Sequence, residues 1–351
     1  MKTLACDKIG LVMACMIATA VIVSCGGDNG GGTPTPSPTM TAFPTGKNPA
    51  GIDIDSSGNV WIVSYGTPSP PSSCGTTVSK LSPTGSFLGS YPTGSCPFGV
   101  KIDAWDNAWV TNNISNTVSV ISPTGVTLNT LPTGTRPRGI NIDPDGNVWI
   151  ANHGESAGNT VTKFDPAGAK IGTYPSGSSP WAIAHDASGI AWVTNFGIGS
   201  SQLNTVTKLS TTGALLDTIT VGYGPRSIKV DPSGNLWVSN TGNESSSGST
   251  ITKLSAAGVV LYTFPTGSMP YEAAINTDGQ IWVPNYLANT VSVLKPDGSL
   301  LNTFATDVNP QNNPKPMSVA IDPAGRVWIT NNGTSTVTVW SGASSPGFEP
   351  Y

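Results

Sequence analysis

From residue 49 onward the chain repeats one pattern seven times, and any fold it adopts must accommodate all seven copies alike. The most visible part is a tryptophan-led apolar strand, usually ending in Asn: Trp61-Ile62, Trp109-Val110-Thr111-Asn112, Trp149-Ile150-Ala151-Asn152, Trp192-Val193-Thr194-Asn195, Trp237-Val238-Ser239-Asn240, Trp282-Val283-Pro284-Asn285 and Trp328-Ile329-Thr330-Asn331. The steps between tryptophans are 48, 40, 43, 45, 45 and 46 residues, a period in the range of propeller blades. Ahead of each Trp comes Pro-x-(Gly/Ala/Ser)-aliphatic and usually Asp-x-x-Gly-Asn. Behind it come Asn-Thr-Val-(Ser/Thr)-Lys-Leu, an x-Gly turn, and a strand closing on Pro-Thr-Gly or a variant.

Each unit therefore reads as four short strands joined by turns. In the third unit they fall at 139–143, 147–151, 160–164 and 169–174, with β-branched residues alternating against small ones. The composition agrees: 41 Gly and 30 Pro in 351 residues supply the many turns that short strands need. A charged fraction of 10 % argues against coiled coils and charge-rich disorder. With 16 Lys+Arg against 20 Asp+Glu and a net charge of −4, the chain lacks the basic excess of a nucleic-acid binder. Asp143-Pro144-Asp145-Gly146-Asn147 is the clearest hairpin turn. Its spacing does not complete a calcium loop, and no flanking helices are visible.

Radial packing explains what repeats. Seven innermost strands crowd one axis, so Pro-x-Gly-Ile keeps them small, while each Trp fills the widening gap between neighbouring sheets. Six units end in an outer strand, but the seventh stops after its third, at 335–340. The missing strand lies at the other end, where Met40-Thr41-Ala42-Phe43-Pro44-Thr45-Gly46 matches the outer-strand pattern. The expected architecture is an all-β, seven-bladed propeller of four-stranded blades over 41–341, with the N-terminal strand completing the last blade and removing two open edges.

Residues 1–24 read as an export signal: Lys2 and Lys8 precede or flank an apolar run from Ile9 to Val23, too short for a comfortable membrane span. The run ends in Ile22-Val23-Ser24-Cys25, which resembles the lipobox of bacterial lipoproteins. That resemblance implies a diacylglycerol on Cys25, stable anchoring through several acyl chains, and, since Gly26 rather than Asp follows, an outer-membrane lipoprotein facing the periplasm or the cell surface. Residues 25–40 form a Gly/Thr/Pro-rich tether without an apolar pattern, and 342–351 a C-terminal tail. Cys6 and Cys15 leave with the signal. Cys74 and Cys96 remain as an even pair in an oxidising compartment, so a disulfide is expected.

The second and third units, WVTNNISNTVSVISPTGVTLNTLPTGTRPRGINIDPDGNVWIAN, resemble the YVTN-type propeller repeat with Trp in place of Tyr. The Pro-x-Gly-Ile…Asp-x-x-Gly-Asn pattern is similar to NHL repeats and to virginiamycin B lyase-like (streptogramin lyase) propellers. These are scaffold words, which imply a fold more than an activity.

Function in such a fold is expected where blades differ, on the face where each inner strand begins. The slot after each inner-strand proline holds Ala50, Phe98, Arg138, Trp181, Arg226, Tyr271 and Met317; the loops after the Trp strands carry Tyr65, His153, Glu155, Phe196, Glu244 and Tyr286. Two guanidinium groups among flat aromatics, with Glu272 nearby, suit a small anionic ligand, a polysaccharide or an envelope protein. The expectation is a binding scaffold, monomeric, touching the membrane through its lipid anchor only. The lyase resemblance implies an alternative: a carbon–oxygen lyase using His153 with Glu155 or Glu272 and Mg²⁺. That family ends its Trp strands in Glu, where this chain has Asn. Gluconolactonase-like propellers hold a metal through an Asp at the slot of Arg138 and Trp181; none of the seven slots here is Asp, and no metal site is expected.

Overall fold

The computed structural model describes residues 39–67, 71–154, 158–197, 204–243, 246–307 and 309–341. The signal segment, Cys25, the tether up to residue 38, Glu155, Glu244 and the tail 342–351 lie outside the described residues. Seven antiparallel sheets of four strands each make the ring. Blade 3 is representative: Pro137–Ile142 innermost, then Val148–Asn152, Thr160–Phe164 and Lys170–Pro175.

Closure follows the sequence expectation. Thr39–Pro44 pairs antiparallel with Thr336–Ser341, Thr39 against Ser341 and Pro44 against Thr336, as the outer strand of blade 7. The strand begins two residues before the boundary drawn from sequence.

The inner strands pack as tightly as the small residues predicted. A Cβ on Gly51 would lie 2.7 Å from the Phe98 carbonyl oxygen, and one on Gly139 would lie 2.3 Å from that of Trp181. Thr111 and Thr330, on second strands, donate their hydroxyls across to the carbonyls of Arg138 and Ala50 at 2.8 and 2.9 Å, tying one blade to the next.

The repeated tryptophans are core, buried to 2 % exposure or less in every blade. All but Trp282 are also clamped at one mouth of the ring. In six blades the indole N–H donates to the carboxylate of the Asp turn at 2.9–3.3 Å, as Trp149 does to Asp143. In four blades a cross-strand lysine lies over the indole face at 4.5–4.7 Å. Two of those lysines pair with the turn aspartate, Lys80 with Asp55 at 2.9 Å and Lys163 with Asp143 at 3.3 Å. These aspartates are turn-bound, and their own backbone hydrogen bonds close the loop, as Asn147 N–H to Asp143 does at 2.8 Å.

Blade 6 departs from the rule. Asn276 replaces the turn Asp, so the buried Trp282 indole N–H has no partner among the described residues. Its inner strand shrinks to Ala274–Ile275, and Pro284 occupies the second strand.

Three strand-ending asparagines, Asn112, Asn152 and Asn195, reach back to the preceding crossover, while the Oδ1 atoms of Asn240, Asn285 and Asn331 are buried without a partner among the described residues. Asn152 accepts from Gly134 N–H in the preceding crossover at 3.0 Å and donates to Thr160 and Thr162 at 3.1 and 2.9 Å. The Cys74–Cys96 disulfide adds a covalent stitch between blades 1 and 2, with Cα atoms 4.7 Å apart. Closing a loop of that size contributes about 3 kcal/mol in the chain-entropy view.

Candidate functional site: the aromatic–arginine mouth

The mouth opposite the Asp turns is built by one backbone device used seven times. The residue before each inner-strand proline is left-handed: Asn48, Cys96, Arg136, Ser179, Gly224, Met269 and Lys315, with φ between 48° and 63°. Its carbonyl accepts the N–H of the residue after the second-strand terminus, at 2.9–3.2 Å from Tyr65, Asn113, His153, Phe196, Thr241, Tyr286 and Asn332. Two rings result: the proline-plus-one slots inside, and these seven loop residues just outside them.

The sequence reading found Tyr65, His153, Phe196 and Tyr286 but passed over Asn113, Thr241 and Asn332. These three brace the inner ring: they donate to the carbonyls of Pro137, Pro270 and Pro49 at 3.3, 3.1 and 3.1 Å. Their signal was positional, the first residue after each strand terminus.

Inside, the aromatic side chains lock together edge to face. Phe98 meets Trp181 at 5.8 Å between centroids and Tyr65 at 5.4 Å, while Tyr271 stacks on Tyr286 at 5.0 Å. Both guanidiniums lie on these rings: Arg138 is 3.9 Å from the Trp181 centroid and 5.2 Å from Phe98, and Arg226 is 4.3–4.5 Å from Trp181, Phe196 and Tyr271. Arg226 also donates to the Tyr271 hydroxyl. Cation–π contacts of this kind contribute roughly 0.5–2 kcal/mol each.

No carboxylate pairs with either guanidinium among the described residues, and each Nε is buried without a partner. Burial lowers the Arg138 guanidinium to about 10 and moves Arg226 in the same direction. Both remain cations at neutral pH. A cavity of about 360 Å³ opens above them, walled by Tyr65, Phe98, Trp181, Tyr271, Tyr286 and Met317 among others, with Asn48 and Asn332 at its margin.

His153 stands behind this wall. It is 5 % exposed, meets Trp181 edge-on at 5.0 Å, and its Nδ1 is 2.6 Å from the Gly154 carbonyl oxygen, which it serves as donor when protonated there. Burial, then the charge of Arg138, lowers the imidazole to about 3, so it is neutral. Its Nε2 is buried and unpartnered.

Glu272 lies one layer deeper, in the channel, where it lines the same narrow space as Arg138 and Arg226. It pairs with Lys229 at 3.1 Å and accepts from the Ser318 hydroxyl at 2.8 Å, while Lys101 pairs with Asp53 at 3.1 Å. Burial alone would raise the Glu272 carboxyl; Lys229, the Ser318 hydroxyl and Lys101 outweigh it and hold the group below its usual range. This charge-balanced layer separates the aromatic mouth from the opposite one. No hydrogen bond or ion pair joins His153 to Glu272 among the described residues.

Wall chemistry also bears on a metal. Among the described residues the cavity presents two cations and no carboxylate, a poor environment for Mg²⁺. Nor do three His, Cys, Asp or Glu side chains come together elsewhere among the described residues. The donors present do not fit a divalent cation, and no step through one is derived.

This geometry is that of a propeller whose channel mouth is an aromatic cage holding two guanidinium groups. Among solved structures the chain is similar to a streptogramin B lyase, with a TM-score of 0.73 and 17 % identity over 87 % of this chain and 97 % of that one. It is equally similar to virginiamycin B lyase from Staphylococcus aureus, at 0.73 and 17 % over 87 % and 99 %. Hydrazine synthase from Kuenenia stuttgartiensis follows at 0.72 and 18 % over 83 % and 95 %. No protein-family model and no curated protein matches the chain. The fold is thus that of a virginiamycin B lyase-like seven-bladed propeller. Neighbours named for such different enzymes show that the scaffold alone does not select a chemistry.

Proposed function

We propose that the protein is a lipid-anchored module of the bacterial cell envelope that binds, through its aromatic mouth, a ligand or partner presenting an anionic group beside a flat apolar one. The observation that carries this reading is the pair Arg138 and Arg226: two desolvated cations on aromatic faces without an acidic partner among the described residues. Holding such groups out of water costs stability unless something repays it, and an anion at the cavity floor would do so through charge-assisted hydrogen bonds from two guanidiniums. Tyr65, Phe98, Tyr271, Tyr286 and Met317 would enclose the apolar part.

Likeness in fold to virginiamycin B lyases supports a second reading, a lyase in which neutral His153 acts as base. It is the weaker of the two, because His153 faces Trp181 rather than the cavity and none of the described wall residues is an acid.

Calorimetric titration with phenyl phosphate tests the first reading, with phenol as the uncharged control. Phenyl phosphate should bind and phenol should not. Converting Arg138 and Arg226 together to Met should weaken phenyl phosphate at least tenfold, about 1.4 kcal/mol or more. Equal binding by the wild type and the double variant, or none by either, would overturn the proposal.

A further inference from the structure

The exposed apolar side chains of this molecule are not scattered. Leu88, Leu128, Ile171, Leu216, Leu261 and Leu301, one on each of blades 1–6, are 39–55 % exposed and sit on the outer strands. Strand register places them at one level, each at the bulge just after the first residue paired with the third strand. In blade 1 that first residue, Phe87, opposes Leu81, which opposes Val60 beside the Asp55 turn; in blade 4 Leu215 opposes Leu209, which opposes Ala191 beside the Asp186 turn. The belt therefore surrounds the Asp-turn mouth, away from the arginine cavity. Trp105, on the Asp103 turn at the same mouth, is 62 % exposed.

Such a belt on open sheet edges is an association hazard unless something covers it. The belt breaks at blade 7, whose outer strand begins with Thr39. Thr39 opposes Ser341, next to Trp340, which opposes Val327, so the chain leading into Thr39 arrives at this same mouth. Cys25 lies fourteen residues before Thr39. Even fully extended, fourteen residues span at most about 50 Å. An acyl chain on Cys25 would thus join the bilayer to the fold at this mouth, within reach of the belt.

We infer that the apolar belt around the Asp-turn mouth docks on the lipid surface that carries the anchor, so that the Arg138–Arg226 cavity points away from the membrane. The inference rests on the lipid-anchor reading of Cys25 and adds a second membrane contact to it. Exposed charges at this level, Asp145, Asp217, Asp278 and Asp297 against Lys170 and Lys295, leave a net negative rim. The contact is therefore apolar and suits zwitterionic headgroups, since anionic ones would repel it.

The test uses the full chain in its own membranes, with single substitutions Leu216→Cys on the belt and Thr135→Cys at the opposite mouth, each exposed. The rate of modification by a water-soluble maleimide is measured before and after detergent release. Leu216→Cys should react at least tenfold more slowly on membranes than in detergent, and Thr135→Cys equally in both. Equal rates for Leu216→Cys would overturn the docking while leaving the anchor intact. Protection that persists in detergent would overturn it too, pointing to another copy or protein on the belt. Should Cys25→Ala leave membrane association unchanged, the anchor reading fails and the docking falls with it.

Discussion

The two mouths of the channel are made by the same strands and obey opposite rules. At the Asp-turn mouth nearly every blade repeats one clamp of carboxylate, indole and, in four blades, lysine. At the other mouth the backbone device repeats seven times, yet the side chains it presents differ from blade to blade. Every charge in the clamp of blades 1 and 3 is paired, whereas the two central cations of the aromatic mouth have no carboxylate partner among the described residues. Where satisfaction is complete the residues hold the ring together; where it is left open, the proposed ligand would complete it.

That contrast can be broken most forcefully at the clamp. Trp149→Ala removes a fully buried indole and the acceptor's partner at once, and should cost about 3–5 kcal/mol in urea unfolding. Arg226→Met at the aromatic mouth should instead leave stability unchanged or raise it, because it removes an unpaired buried charge. A large loss in Arg226→Met would mean that the mouth is structural after all.

A smaller effect separates the two histidines, one near each mouth. Folded His153 and His185 stay neutral down to about 3 and about 4, both lowered chiefly by burial. In the unfolded chain imidazoles protonate near 6.5. Below that pH the unfolded state binds more protons, so the contribution present above about 6.5 is lost progressively as pH falls toward 4. Asp55, Asp143 and Asp231 are held below the usual carboxylate range, so their contribution disappears only in stronger acid. His153→Phe, which suits its aromatic neighbours, should flatten the fall in Tm between pH 6.5 and 4; an unchanged slope would contradict the buried neutral state.

The mildest change repairs the one blade that lacks the clamp. Asn276→Asp supplies an acceptor for the Trp282 indole and should stabilise by about 1 kcal/mol in chemical denaturation. No gain would show that blade 6 is strained by Pro284 and its short inner strand rather than by the missing acceptor.

Much of this was legible from the chain. Trp spacing announced seven blades, the absent seventh outer strand announced the N-terminal closure, and Cys74 with Cys96 announced the disulfide. Asp143 and its counterparts were recognisable as turn residues, but their bond to the indole was not, since it joins residues six apart through a hairpin fold. Glu272 stood out in the sequence because its slot is Gly, Ala or Ser in the other blades, but its partners Lys229 and Ser318, on the neighbouring blades, were not legible. The left-handed residue before each proline left little trace: Asn48 and Gly224 suit that conformation, but Cys96, Arg136, Ser179, Met269 and Lys315 at the same position share no preference for it.

By itself the sequence determined the closed ring and the identity of the seven variable slots, because hydrophobic period and turn chemistry are local and are repeated often enough to be unambiguous. Only the tertiary structure decided what those slots do together. Whether Arg138 meets an acid or an indole, whether His153 faces the cavity or stands behind it, and whether Glu272 reaches the rim depend on contacts between blades some forty residues apart, which no local pattern encodes.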